Sequence, residues 1–447
     1  MKDLTSGNPI KLILLFTIPL LIGNVFQQFY HMADMIIVGQ VLGKNALAAV
    51  GSTGSLTFLI IGFAQGLTAG LSIIAAQRFG ARDYQGIKRS FAMSILISAV
   101  VTVALTILGL LFIRPMLVLM QTPAEIIDDA YTFIAIIIIG IFAAMAFNLL
   151  SNVIRALGDS RTPLLFLIVA SVVNVALDVL LIVYLDFGVA GAGIATVSAQ
   201  AVSAILCMLY IKRSIPQLQL SKRDFSLAWD ECYTHIRIAL PMAFQASIIA
   251  IGAIILQTAL NGLGTDVVAA QAAASKIDQF AVLPMASFGV TMATYTAQNY
   301  GAKEYQRILK GVRQCLTLSI GFSIVAGLIV ILFGGKLVTL FVSPKETAVI
   351  SLAQTFFNIN GSLYWILAIL FIIRYTLQGL GQSVIPTIAG IVELIMRSFA
   401  ALVLTAMFGF AGAAIAGPLA WVGSVVVLLY SYFKAVKKLK QLSLDSL

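Results

Sequence analysis

The chain has 447 residues, of which 60% are hydrophobic and 10% charged, with a mean hydropathy of +1.02 and a formal net charge of +10. A soluble domain carries about 25% charged residues, so a soluble enzyme with a large core is excluded. The basic balance is the kind that membrane proteins carry in their inner loops, and nucleic acid is not needed to explain it.

Apolar runs long enough to cross a bilayer as helices recur along the whole chain. Taken in order they lie at roughly 12–40, 46–75, 91–112, 131–153, 163–185, 190–211, 238–260, 267–296, 314–333, 348–373, 386–406 and 411–432. The first run is too long for the apolar region of a signal peptide and no small-residue cleavage site closes it, so it is expected to stay in the mature protein. With the N-terminus in the cytoplasm, most of the 28 Lys and Arg, from Lys2 through Arg374 to Lys440, fall in cytoplasmic segments. The outside receives Lys44, Arg114, Lys336 and Lys345, and Lys276 and Arg397 fall within spans. This is the positive-inside pattern. It predicts a multi-pass protein of the plasma membrane with both termini cytoplasmic. Cys207, Cys232 and Cys315 lie in or near that side, where disulfides are not expected.

The chain is built twice. "AQRFGARDY" at 76–84 returns as "AQNYGAKEY" at 297–305, and "FGVAGAGIA" at 187–195 returns as "FGFAGAAIA" at 408–416. "LGDSRTP" at 157–163 matches "LGQSVIP" at 380–386, and "TIPL" at 17–20 matches "ALPM" at 239–242. Four matches in one order at nearly one offset indicate a duplication. Each half holds an even number of spans, so the repeats are parallel, related by a pseudo-two-fold axis along the membrane normal. The expected organisation is a six-helix lobe over 1–211, a polar cytoplasmic linker over 212–237 and a second six-helix lobe over 238–447. The fold class is an all-α polytopic membrane protein.

The acids within spans are Asp34, Asp178, Asp278 and Glu393. A charge at the bilayer centre costs about 2.5–3.5 kcal/mol even on insertion scales, so each is a functional candidate. Glu393 has Arg397 four residues on, which reads as an ion pair on one helix face. Lys276 and Asp278 are two apart and do not face each other. Asp34 and Asp178 have neutral hydrogen-bonding neighbours instead. Around Asp34 these are Tyr30 and Gln27 on one face, with His31 close by; around Asp178 there is Asn174, and the next span adds the hydroxyl of Thr196. Low dielectric disfavours the charged form of a carboxyl, so this set could carry a proton, loaded in one state and empty in another. The same oxygens could coordinate Na⁺. His31 is a secondary proton candidate. Pro19 removes a helical hydrogen bond and favours a kink in the first span. The second half lacks the constellation: Asn174 shifted by the repeat offset lands on Arg397.

"MADMIIVGQVLGKNALAAVG" at 32–51 resembles the first-span motif of the multidrug and toxic compound extrusion (MATE) transporters. The "AQRFGARDY" loop with its second copy, "RALGDSRTP" at 155–163 and the twelve spans in two halves are similar to that family over essentially the whole chain. The resemblance implies two six-helix lobes forming a V, with drug exit driven by H⁺ or Na⁺ entry. In the DinF-like branch the N-lobe ion site takes a first-span Asp, a fifth-span Asn and Asp, and a sixth-span Thr. Asp34, Asn174, Asp178 and Thr196 match these, Tyr30 matches a neighbouring Tyr, and Pro19 matches the kinking proline. The NorM-like branch uses C-lobe acids on spans seven and ten, which this sequence lacks.

The expected activity is therefore secondary antiport of amphipathic or cationic compounds against H⁺, with Na⁺ as the other ion, and not enzymatic turnover. Gln27, Phe29, Met32, Gln245 and Gln257 are candidate residues for a broad substrate cavity. No cofactor and no metal is expected. The partners are small amphipathic drugs or dyes and the lipid bilayer, without nucleic acid, and the chain reads as a monomer. The alternative is a lipid-linked precursor flippase of the same superfamily. It would need a large cationic groove, which two basic residues within spans do not supply. His31 and His235 are far apart in sequence, and no metal-binding histidine motif or GxSxG nucleophile motif is found.

Overall fold

The protein is described by a computed structural model over residues 3–446; Lys2, counted above with the cytoplasmic charges, lies outside them. Among the described residues all regular structure is helical, as hydrocarbon requires of a spanning chain whose backbone groups must be satisfied within the segment. The first half contains α1 (Pro9–Leu42), α2 (Lys44–Ser52), α3 (Gly54–Gly80), α4 (Tyr84–Leu119), α5 (Ile127–Ile139), α6 (Ile141–Ala156), α7 (Arg161–Asp178) and α8 (Val189–Ser214). The second contains α9 (Trp229–Asn261), α10 (Thr265–Gly301), α11 (Tyr305–Val338), α12 (Thr347–Gly361), α13 (Tyr364–Gly379), α14 (Val384–Phe399), α15 (Thr405–Phe408), α16 (Phe410–Ala414) and α17 (Ala416–Asp445). Among the described residues ten helical segments are long and apolar enough to span a membrane, and the bent pairs α5–α6 (46°) and α12–α13 (51°) raise this to up to twelve. The second expected span differs from a single helix. It breaks at Thr53, between Ser52 and Gly54, so the short α2 is set off from the spanning α3.

The duplication is visible in the backbone. α7 runs directly into a π-helical turn at Val179–Tyr184, and α14 into one at Ala400–Leu404. Positive φ recurs at the repeat-related glycines Gly188 (65°) and Gly409 (64°), and at Arg82 (57°) and Lys303 (60°) in the two copies of the loop motif.

The chain forms two compact units. Unit 1 comprises Ile18–Ala246, and unit 2 comprises Leu4–Thr17 with Ser247–Leu447, beside a few residues at the extreme N-terminus. Each unit thus takes the opening of one long helix from the other half of the sequence. α1 changes unit one residue before Pro19, and α9 changes unit six residues after the equivalent Pro241.

The repeated loop motif holds these openings. In unit 2, Gln298 accepts from the Leu4 N–H (3.0 Å), Asn299 donates to the Leu4 carbonyl (3.1 Å), and Arg307 donates to the carbonyls of Gly7 (2.7 Å) and Leu4 (3.1 Å). In unit 1, Arg78 forms a two-pronged ion pair with Glu231 at the start of α9, and also donates to the Gly86 carbonyl (2.8 Å). One turn on, His235 Nδ1 donates to the Glu231 carbonyl (2.7 Å), so in the neutral ring Nε2 accepts from the Ser90 hydroxyl (2.7 Å).

Small residues let α9 approach α3 closely inside unit 1. A methyl group on Gly70 would lie 2.5 Å from Cα of Ala239, and one on Gly66 would lie 2.5 Å from the Met242 carbonyl oxygen. Around this contact lies an apolar cluster that includes Leu67, Leu71, Phe91, Met145, Ile154 and Ala243. The obstacle at Gly70 is backbone, which cannot rotate away. Gly70→Ala is therefore expected to cost about 1–3 kcal/mol by overpacking, read as a lowered unfolding midpoint of the purified protein in detergent. An unchanged midpoint would show that α9 can shift to accommodate the methyl.

Candidate functional site

The first-half acids come together inside unit 1. Asp34 lies on α1 and is half-buried, whereas Asp178 ends α7 and is fully buried. Asn174 stands one turn before Asp178 and is 1% exposed. With its amide nitrogen turned toward the acids, Asn174 donates to Asp34 Oδ1 (2.9 Å) and to Asp178 Oδ2 (3.2 Å). The two carboxyls also approach each other closely enough to share a hydrogen bond. Asp178 Oδ1 is buried with no hydrogen-bond partner among the described residues. The π-helical turn begins at the residue after Asp178. Such turns frequently occur where a side chain is set for function.

A cavity of about 130 Å³ adjoins Asn174, the residue that joins the two acids. Gln27, Tyr30 and His31 of α1 line it, with Asn174 of α7 and Thr196 of α8. The Tyr30 hydroxyl lies near Gln27 and Asp34, and the Tyr30 and His31 rings are 4.4 Å apart. The Thr196 hydroxyl donates to the Ala192 carbonyl of its own helix (3.0 Å), so its one hydrogen is taken and the oxygen can only accept. Drug-sized ligands occupy pockets of about 300–1,000 Å³, so this cavity suits an ion with water and not a drug. Sequence reasoning missed several polar residues in its wall, among them Gln65 and Thr57 of α3, Asn148 of α6 and Gln200 of α8. The available signal was a polar side chain inside an apolar run, but such residues are too common in these spans to stand out one by one.

The other expected residues fall elsewhere. Pro19 is buried within an unbroken α1. Phe29 is 56% exposed and Met32 is half-buried, and neither lines the cavity. Gln245 is buried in unit 1. Gln257, in unit 2, donates to Asn261 (2.9 Å) one turn along α9.

In unit 2 the expected pairing of Glu393 with Arg397 is replaced. Glu393 pairs with Arg374, which also donates to Ser424 (3.3 Å). Arg374, assigned above to a cytoplasmic segment, is 5% exposed inside α13. The reason is reach: α13 packs close enough to α14 and α17 to bring a long guanidinium stem to Glu393, and spacing along one helix cannot reveal a partner on another. Asp278 of α10 accepts a hydrogen bond from the Tyr364 hydroxyl of α13.

Comparison with known proteins adds an independent finding. The MatE family model matches residues 19–180 and again 241–416. The chain is similar to the probable multidrug resistance protein YoeA of Bacillus subtilis, 28% identical over 452 residues covering 96% of this chain and 94% of that one. It is also similar to an FAD transporter of Shewanella oneidensis, 26% identical over 73% of this chain and 72% of that one. Among solved structures it matches a crystal structure of MATE in the bent conformation, with a TM-score of 0.90 at 25% identity over 98% of each chain.

Asn174→Ala would leave the acids with no amide between them. A buried acceptor left unsatisfied costs about 1–3 kcal/mol. The unfolding midpoint should fall, and fall further at alkaline than at mildly acidic pH, because a protonated carboxyl can donate to its neighbour while two carboxylates cannot. A deficit independent of pH would show that the amide does not serve the acids.

Proposed function

The chain belongs to the MatE family of membrane transporters, and from that membership we propose that it exports amphipathic and cationic small molecules in exchange for H⁺ by alternating access. Membership makes it a multi-pass transporter and not an enzyme. The proposal adds the coupling ion, with Na⁺ as the alternative, and a monomer in the plasma membrane with both termini cytoplasmic.

The observation that carries the reading is the pair Asp34 and Asp178, joined through Asn174 in the interior of unit 1. Two carboxylates this close repel each other, and one proton shared between them removes that repulsion. With a proton bound, α1 and α7 can close around Asn174; with it gone, like charges oppose that packing. α1 is suited to respond, because Pro19 deprives it of one backbone hydrogen bond. The coupling residues are thus Asp34, Asp178 and Asn174, with Thr196 and Tyr30 at the cavity and His31 as a secondary proton carrier. One charge entering down about 100 mV releases about 2.3 kcal/mol. That sustains roughly a 50-fold gradient of a neutral substrate.

The test is dye transport by purified protein in liposomes under an imposed pH gradient without Na⁺. Wild type is expected to transport and Asp34→Asn to lose transport altogether. Transport that survives the substitution would move the coupling to Asp178 or His31, and a wild type inert until Na⁺ is added would replace the ion. Pro19→Ala is expected to slow transport and alter its pH dependence; an unchanged profile would remove the proline from the mechanism.

A further inference from the structure

The duplication brings a second site into view at the repeat-related place in unit 2, and its charge is opposite. Pro19 aligns with Pro241, which sets Gly252 of α9 where α1 carries Tyr30. The match of 157–163 to 380–386 sets Arg397 of α14 where α7 carries Asn174. The structure brings these two counterparts together: a Cβ built on Gly252 would lie 3.5 Å from Arg397 Cδ and 3.7 Å from one of its guanidinium nitrogens. Where unit 1 collects two carboxyls around an amide, unit 2 places a guanidinium against a residue with no side chain.

That guanidinium lacks a counter-charge of its own. Glu393, on the same helix, is taken by Arg374, and Asp278 by Tyr364. Among the described residues Arg397 donates no hydrogen bond and closes no ion pair; Glu393 reaches it only as a more distant charge shared with Arg374. Arg397 is half-buried and lies near the middle of the Val384–Phe408 span, about 20 Å from one end and about 16 Å from the other. At that depth its stem cannot carry the charge to either surface, and a lipid headgroup does not reach it from either side. An intramembrane charge faces a cavity or a partner. A planar guanidinium with free donors matches a carboxylate or phosphate in two-pronged geometry.

We propose that Arg397 is the centre of an anion site in unit 2 that takes the carboxylate or phosphate of a transported substrate, so that the cargo includes zwitterionic or anionic amphipaths as well as cations. This rests on the transport function proposed above. Gly252 contributes the room.

The test uses two fluorescent probes that differ by one group, a cationic rhodamine ester and the corresponding rhodamine with a free carboxylate. Binding to the detergent-purified protein and transport into liposomes are measured for wild type, Arg397→Gln and Arg397→Lys, each first shown to be monodisperse. For Arg397→Gln the Kd of the carboxylate probe should rise about tenfold or more, with the ester within about twofold of wild type. Arg397→Lys should fall between, since it keeps the charge and loses the fork. Equal effects on both probes, or no effect on either while wild type still transports the ester, would overturn the site and leave the transport reading standing. Carboxylate binding that depends on Arg397, in a protein that moves neither dye, would support the site and overturn the transport reading. Added phosphatidylglycerol should leave the carboxylate probe's Kd unchanged; competition by the lipid would assign the site to a headgroup and overturn the proposal.

Discussion

Asn174 Nδ2 has two hydrogens to give and two acceptors to give them to, Asp34 on α1 and Asp178 one turn along its own helix. Inside hydrocarbon this stoichiometry constrains much else. The amide can satisfy one oxygen of each acid and no more, which leaves Asp178 Oδ1 without a partner among the described residues. α1 and α7 must stay within reach of each other for as long as both acids are held. The helix that carries Asn174 and Asp178 then gives up regular α geometry at once, in the turn that starts at Val179. The apolar cluster of Val38, Ala46, Ile182, Val189 and Ala192 closes over this end of unit 1, so the acids sit beneath packed side chains and beside a small cavity.

Much of this was legible in the sequence because the bilayer simplifies the code. Runs of apolar residues read as spans, and an acid inside a run is conspicuous against its neighbours. Asn174 and Asp178 share a helix face by spacing alone, and the duplication was readable from loop residues that resist chance matching. Partners on other helices were not legible. Arg374 looked like the cytoplasmic end of a span with no partner, but its guanidinium is buried in an ion pair with Glu393 on another helix. The break at Thr53 was hidden in a continuous apolar run, because hydropathy does not register a local change of direction. Residue type alone does not say which α1 side chains meet the small cavity: Gln27 and Tyr30 line it, and Phe29 does not.

Comparing the halves separates what duplication preserves from what it releases. Backbone irregularities survive: the π-helical turn, the left-handed glycine after it and the left-handed residue in the loop motif all occur twice. The side chains mounted on that backbone have changed kind. The loop motif keeps its task, holding a helix start, while using amide-to-carbonyl bonds in one copy and an ion pair in the other. Geometry is harder to alter than chemistry, because a turn depends on many residues and a charge on one.

The exchange of helix openings between the units has a consequence for how such a chain can exist at all. A polypeptide ending near residue 214 would contain Leu4–Thr17, which packs in unit 2, and would lack Trp229–Ala246, which completes unit 1. It would carry a segment with no seat and a seat with no segment. Two copies of such a chain could fill each other's vacancy, which is the arrangement of a domain-swapped dimer. The connection over 215–228 makes that arrangement covalent. Each unit is therefore completed by a segment from the other half of the sequence, and neither half is expected to be a folding unit without the other.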